Sequence, residues 1–124
     1  MEIVIVRGDP KPWGLDGHLY INRKRICDTV EHPTKHLPSG EYIISSLGAE
    51  GLSFSEAAHS EWHSLPQPFR HGDGALALKQ REIIVGKQLL PGVVTQSQAI
   101  YDRLYERLKK AFQRNTPVRL TIRG

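Results

Sequence analysis

At 124 residues the chain has room for one domain, residues 1–124, with a core of its own. Its one cysteine, Cys27, excludes a disulfide scaffold, and the formal charge of +4 suits contact with an anionic polymer. No run approaches the roughly 20 apolar residues that span a bilayer, so no membrane insertion is expected.

Met1 to Arg7 carries the short apolar run Ile3-Val4-Ile5-Val6 and reads as a first strand. The run is too short for a signal-peptide core, so the chain is expected to be cytoplasmic as synthesised. Reaching a cell wall would require phage or secretion-system delivery. Gly8 to Gly17, rich in Gly, Pro and Asp, reads as an irregular loop with Trp13 packed down. Leu19 to Cys27 reads as a hairpin whose polar tip, Asn22 to Arg25, joins strands at 18–22 and 25–31. The Arg23-Lys24-Arg25 triplet is then a hairpin tip. The other basic cluster lies on the last helix, interleaved with Asp102 and Glu106, so no specific nucleic-acid partner is expected.

Leu37 to Tyr42 reads as a Pro-x-Gly turn feeding a strand over 41–47. Between Gly48 and Pro68 the polar, proline-bearing sequence reads as a long excursion over a pocket. Further strands are expected at 68–71 and 82–86. A helix is expected from Ser97, as N-cap, to Gln113, because Ile100, Tyr101, Leu104, Tyr105, Leu108, Ala111 and Phe112 recur at helical spacing. Asn115-Thr116-Pro117 ends it, and Val118, Leu120 and Ile122 alternate with polar residues as a closing strand. The expected fold is mainly β (α+β): a compact, mixed, barrel-like sheet with one long C-terminal amphipathic helix and a closing C-terminal strand.

Chemistry-bearing residues gather at His71-Gly72-Asp73-Gly74 and Arg81-Glu82. A polar pocket built from His71, Gly72, Asp73, Arg81 and Glu82 is the candidate ligand site, with His71, Asp73 and Glu82 as the residues able to move a proton. His59 and His63 lie four apart, a metal-ligating spacing on a helix, but Ser60 stands where the zincin pattern needs Glu. No metal and no cofactor is expected, since neither a phosphate-loop nor a dinucleotide fingerprint follows Gly72 and Gly74. Asp28 and Glu31 are three apart on a strand and should face opposite ways, which argues against a glycosidase pair.

Cys27-Asp28-Thr29-Val30-Glu31, Leu37-Pro38-Ser39-Gly40-Glu41-Tyr42, His71-Gly72-Asp73-Gly74, Ile83-Ile84-Val85-Gly86 and the run from Ser97 to Leu108 together resemble a family of small bacterial and phage proteins. The order and spacing of these fragments cover most of the chain. Its His and Gly-Cys segments are similar to the catalytic region of L,D-transpeptidase-like domains, where His activates a Cys for acyl transfer. The resemblance implies a β-rich fold and peptidoglycan peptides as ligand. In this chain Arg81 and Glu82 replace the Gly-Cys pair, and a carboxylate is a poor substitute for a thiolate nucleophile. The expectation is therefore a non-catalytic, diverged member that binds peptidoglycan stem peptides as a bacterial or phage-encoded accessory protein. Two other readings stay open: a metal- or His-assisted hydrolase of cell-wall peptides, and an interaction component of a virion or injection system with a protein partner.

Overall fold

The computed structural model describes residues 1–46, 52–56, 69–72, 74–75 and 81–124. Among these the chain is mainly β, a mixed, curled half-barrel sheet with one helix near the C-terminus, as the sequence predicts. The strands are β1 (Glu2–Arg7), β2 (Leu15–Ile21), β3 (Lys24–Glu31), β4 (Gly40–Ser46), β5 (Leu52–Glu56), β6 (Phe69–Arg70), β7 (Gly74–Ala75), β8 (Ile83–Leu90), β9 (Val93–Thr95) and β10 (Val118–Arg123). The helix, α1, spans Ser97–Gln113 between β9 and β10. Strand order is β5-β4-β10-β1-β2-β3-β8-β9-β7, with β6 beside β8.

Alternation of side chains decides which face of the sheet is filled. Ile3 and Ile5 of β1 stand in register with Leu120 and Ile122 of β10 and with Ile21 and Leu19 of β2. With Cys27, Tyr42, Ile44, Phe69, Ile83 and Val85 they line the concave face, and α1 fills it with Leu104, Leu108 and Ala111. A smaller cluster of Val30, Ile84 and Val94 lies on the outer face beneath Trp13, which anchors the loop after β1. Gly86 admits β9 there, because a Cβ on it would overlap Val94 Cγ1.

Several local features differ from the sequence expectation; β2 already begins at Leu15, inside the stretch that reads as a loop, and β9 is a further strand. The β2–β3 hairpin turns on Asn22 and Arg23 alone, both with positive φ (49° and 71°), the primed geometry that matches strand twist. The excursion after β4 contains a strand, β5, antiparallel to β4; residues 47–51 and 57–68 lie outside the described part. Ser97 is not the helix cap. Gln96 holds that place in the left-handed conformation, φ 56°, and Ser97 is the first helical residue, fully buried.

One buried polar contact ties the concave face together. Arg7 Nε and Nη2 donate to Glu31 at 2.9 and 2.6 Å, and Nη2 also donates to the Leu37 carbonyl at 2.7 Å. Gly17 separates the two strands in register, and a Cβ there would lie 2.8 Å from Thr29 Oγ1 and 2.9 Å from the Val6 carbonyl. Its bare backbone leaves the guanidinium a path across β2 to β3. Among the described residues Arg7 Nη1 and Thr29 Oγ1 are buried without a hydrogen-bond partner.

Candidate functional site

The residues singled out by sequence gather around β6 and the start of β8. β6 runs parallel to β8 with Phe69 opposite Ile83 and Arg70 opposite Ile84. Extending that register places His71 opposite Val85, three residues beyond Glu82, or roughly 10 Å along the strand at ~3.3 Å per residue. The two also take opposite sides. His71 shares the side of Phe69, facing α1, and its ring meets Tyr101 edge-on at 5.2 Å. Glu82 turns to the outer side, where Arg70 Nε lies 3.4 Å from its carboxylate.

The backbone around these residues is held by specific hydrogen bonds. Gly72 N donates to Ser97 Oγ at 2.9 Å, and Ser97 Oγ donates to the Val85 carbonyl at 2.5 Å. The first residue of α1 thus fixes the chain after His71 against β8. Arg81 has an exposed side chain and a left-handed backbone, φ 61°, with its N–H donated to the Lys35 carbonyl at 2.8 Å. A turn of this shape favours glycine, and Arg81 occupies the position that holds Gly in the resembling motif. Asp73, His59 and His63 lie outside the described residues. Among the described residues no cluster of three or more His, Cys, Asp or Glu is placed to hold a metal ion, and no helix is long and apolar enough to cross a membrane.

The structure thus brings His71, Gly72 and Ser97 together on the helix side and Arg70 and Glu82 on the other. Beside His71, α1 presents Tyr101 and Tyr105 with rings 6.2 Å apart and 25° from coplanar. These tyrosines line a groove of about 340 Å³ with Asp102, Glu106 and Lys109. Cys27 cannot replace the missing nucleophile. It is buried on the concave face, and burial, reinforced by Asp28, pushes its thiol up to about 12.

A second constellation, on the outer face of the β2–β3 hairpin, escaped the sequence reading. Asp28 Oδ1 accepts from His18 Nδ1 at 3.0 Å and from Arg25 Nη2 at 2.8 Å, while Oδ2 accepts from Gln88 N at 2.9 Å. Burial pushes the Asp28 carboxyl up, but the bonds from Gln88, Arg25 and His18 outweigh it and hold the carboxyl below its usual range. A β-bulge makes this cluster. The turn pairs Tyr20 with Arg25, but farther along Leu19 pairs with Cys27 and His18 with Asp28, so Ile26 is the extra residue. Without it, Arg25 and Asp28 would face opposite ways; with it, both project outward. Glu31 faces inward to Arg7, so the expected divergence of Asp28 and Glu31 is observed.

Comparison with protein-family models, with curated proteins and with solved structures finds no match in any of the three.

Proposed function

We propose that this protein is a non-catalytic, diverged L,D-transpeptidase-like module that binds peptidoglycan peptides as a bacterial or phage-encoded accessory protein. The observation that carries this reading is the division of the frame. The carboxylate at the nucleophile position is paired with Arg70, and His71 faces the other way, against Tyr101. A base must lie within hydrogen-bond reach of the group it activates, directly or through one water. A separation of roughly 10 Å with opposite facing does not meet that requirement.

Binding needs less. The groove along α1, which His71 meets only through Tyr101, offers two tyrosine faces for aliphatic side chains, Asp102 and Glu106 for ammonium groups and Lys109 for a carboxylate. That mixture suits a short peptide carrying both charges, and about 340 Å³ lies within the ordinary range of ligand pockets, ~300–1,000 Å³. The left-handed backbone at Arg81, where the motif has Gly, adds support for the resemblance.

The test is a titration of isotope-labelled protein with soluble stem peptides to millimolar concentration, read by amide chemical shifts. Saturable changes at His71, Gly72, Tyr101 and Tyr105 are expected, weakened in Tyr105→Ala. Absence of change there sinks the binding reading, and new peptide masses in the same samples would favour the hydrolase.

A further inference from the structure

We propose that the groove on the outer face of the β2–β3 hairpin is a second ligand site, one that takes a primary ammonium at the end of an aliphatic chain. The groove, of about 270 Å³, is lined by Asp16, His18, Arg25, Asp28, Gln88 and the Leu89-Leu90-Pro91 corner. It is independent of the ligand assigned to the helix-side groove.

The chemistry follows from which atoms are already engaged. Asp28 is ionised and accepts three hydrogen bonds, so it is a scaffold rather than a free acceptor. With neutral imidazole, its bond from His18 Nδ1 fixes the proton on that nitrogen and leaves Nε2 as an acceptor. Asp16 stands two residues along β2 on the same face, with no side-chain partner among the described residues. Successive same-face positions are about 7 Å apart along the backbone, so an ammonium held by the Asp16 carboxylate sits beside the His18 imidazole and has further donors to offer it. Arg25 does not oppose this. It sits at the Tyr20 row, on the far side of His18 from Asp16, and its charge is matched by Asp28. The groove therefore carries one negative charge in excess through Asp16.

The wall of the groove selects the rest of the ligand. Leu89 and Leu90 are 60% and 64% exposed, large apolar side chains at the corner between β8 and β9. Exposed apolar residues beside converging polar groups mark a site for an amphipathic ligand. An alkyl chain lies on the leucines and Pro91 while its ammonium reaches Asp16 and Nε2. A lysyl side chain and a free diamine share that chemistry.

The experiment is a low-salt amide-shift titration of the full chain with three probes: 1,5-diaminopentane, Nα-acetyl-lysine methylamide, and the latter acetylated on Nε. Saturable shifts at Asp16, His18, Asp28 and Gln88, with affinity on the order of millimolar for such small ligands, are expected for at least one free amine. Nε-acetylation and Asp16→Asn should each weaken binding about tenfold or more, whereas Glu41→Gln, which removes an exposed charge on β4, should leave it unchanged. Binding of the lysine derivative alone assigns a peptide side chain, and of the diamine alone a free polyamine. Equal binding of the acetylated probe, no binding of either amine, or an equal loss in Glu41→Gln overturns the proposal. The probe comparison uses unmodified protein, so it decides the matter even if Asp16→Asn does not fold.

Discussion

Replacing Glu31 by Gln should be among the most damaging single changes in this chain, although it alters only one charge. The Glu31 carboxylate takes two charge-assisted bonds from Arg7, at 2.9 and 2.6 Å, with both side chains 1% exposed. Gln keeps one acceptor but turns an NH2 toward a guanidinium that is itself all donors, and leaves the buried cation with only neutral acceptors, the Gln oxygen and the Leu37 carbonyl. Breaking a buried pair from one side costs about 3–5 kcal/mol, a large share of the ~5–15 kcal/mol that holds a domain folded. Replacing both residues, Arg7→Met with Glu31→Leu, removes the stranded charge and the buried Nη1 together. That pair should fall within about 2 kcal/mol of the original or exceed it. Urea denaturation followed by tryptophan fluorescence of the original chain, Arg7→Met, Glu31→Leu and the double variant supplies all four corners of the cycle, with Glu31→Gln measured beside them. A Glu31→Gln cost below about 1 kcal/mol, or a double variant whose cost is the sum of the singles, would refute the reasoning.

Other consequences follow from the same contacts. Ser97→Ala removes the hydroxyl shared by Gly72 N and the Val85 carbonyl, and should cost about 1–3 kcal/mol. Amide exchange at Gly72 should accelerate well beyond that of neighbouring β8 residues; unchanged exchange would count against the assignment. Arg81→Gly should be neutral or stabilising by up to about 1 kcal/mol, because glycine adopts φ 61° without a Cβ penalty, and a loss in thermal melts would contradict this. Cys27, buried and with its thiol raised to about 12, should resist a thiol reagent at pH 8 until denaturant is added. Asp28 has a depressed folded-state carboxyl, so its stabilising effect is present above the unfolded value of ~3.9 and lost as pH falls through the lower folded value. Acid titration of stability in Asp28→Asn should therefore be flatter below about pH 4 than in the original chain, and superimposable curves would argue against it.

What could be seen in the sequence was what local periodicity encodes. The helical spacing from Ile100 to Phe112 placed α1, and the alternation of Val118, Leu120 and Ile122 placed β10, because each pattern states which side is buried. Alternation also separated Asp28 from Glu31. It could not show where Glu31 goes, since its partner Arg7 is 24 residues away and is reached over Gly17. Nor could it place His18 beside Asp28, because the hairpin register counted from Asn22-Arg23 is shifted by one at Ile26. Order along the chain alone makes His71 and Glu82 neighbours in one pocket. The parallel pairing of β6 with β8 is a long-range fact, and it puts them on opposite sides. Gln96 as helix cap has no sequence signal, because Gln is not a preferred cap residue and its side chain makes no cap hydrogen bond.

The most direct measurement for the central proposal is co-sedimentation with intact peptidoglycan sacculi, with the soluble muropeptides read by mass spectrometry. Non-catalytic peptide binding predicts protein in the pellet, released by free stem peptide, and a muropeptide spectrum identical to that of untreated sacculi. New masses that disappear in His71→Ala would contradict it in favour of an enzyme. Protein left wholly in the supernatant would contradict it in favour of a partner other than the wall.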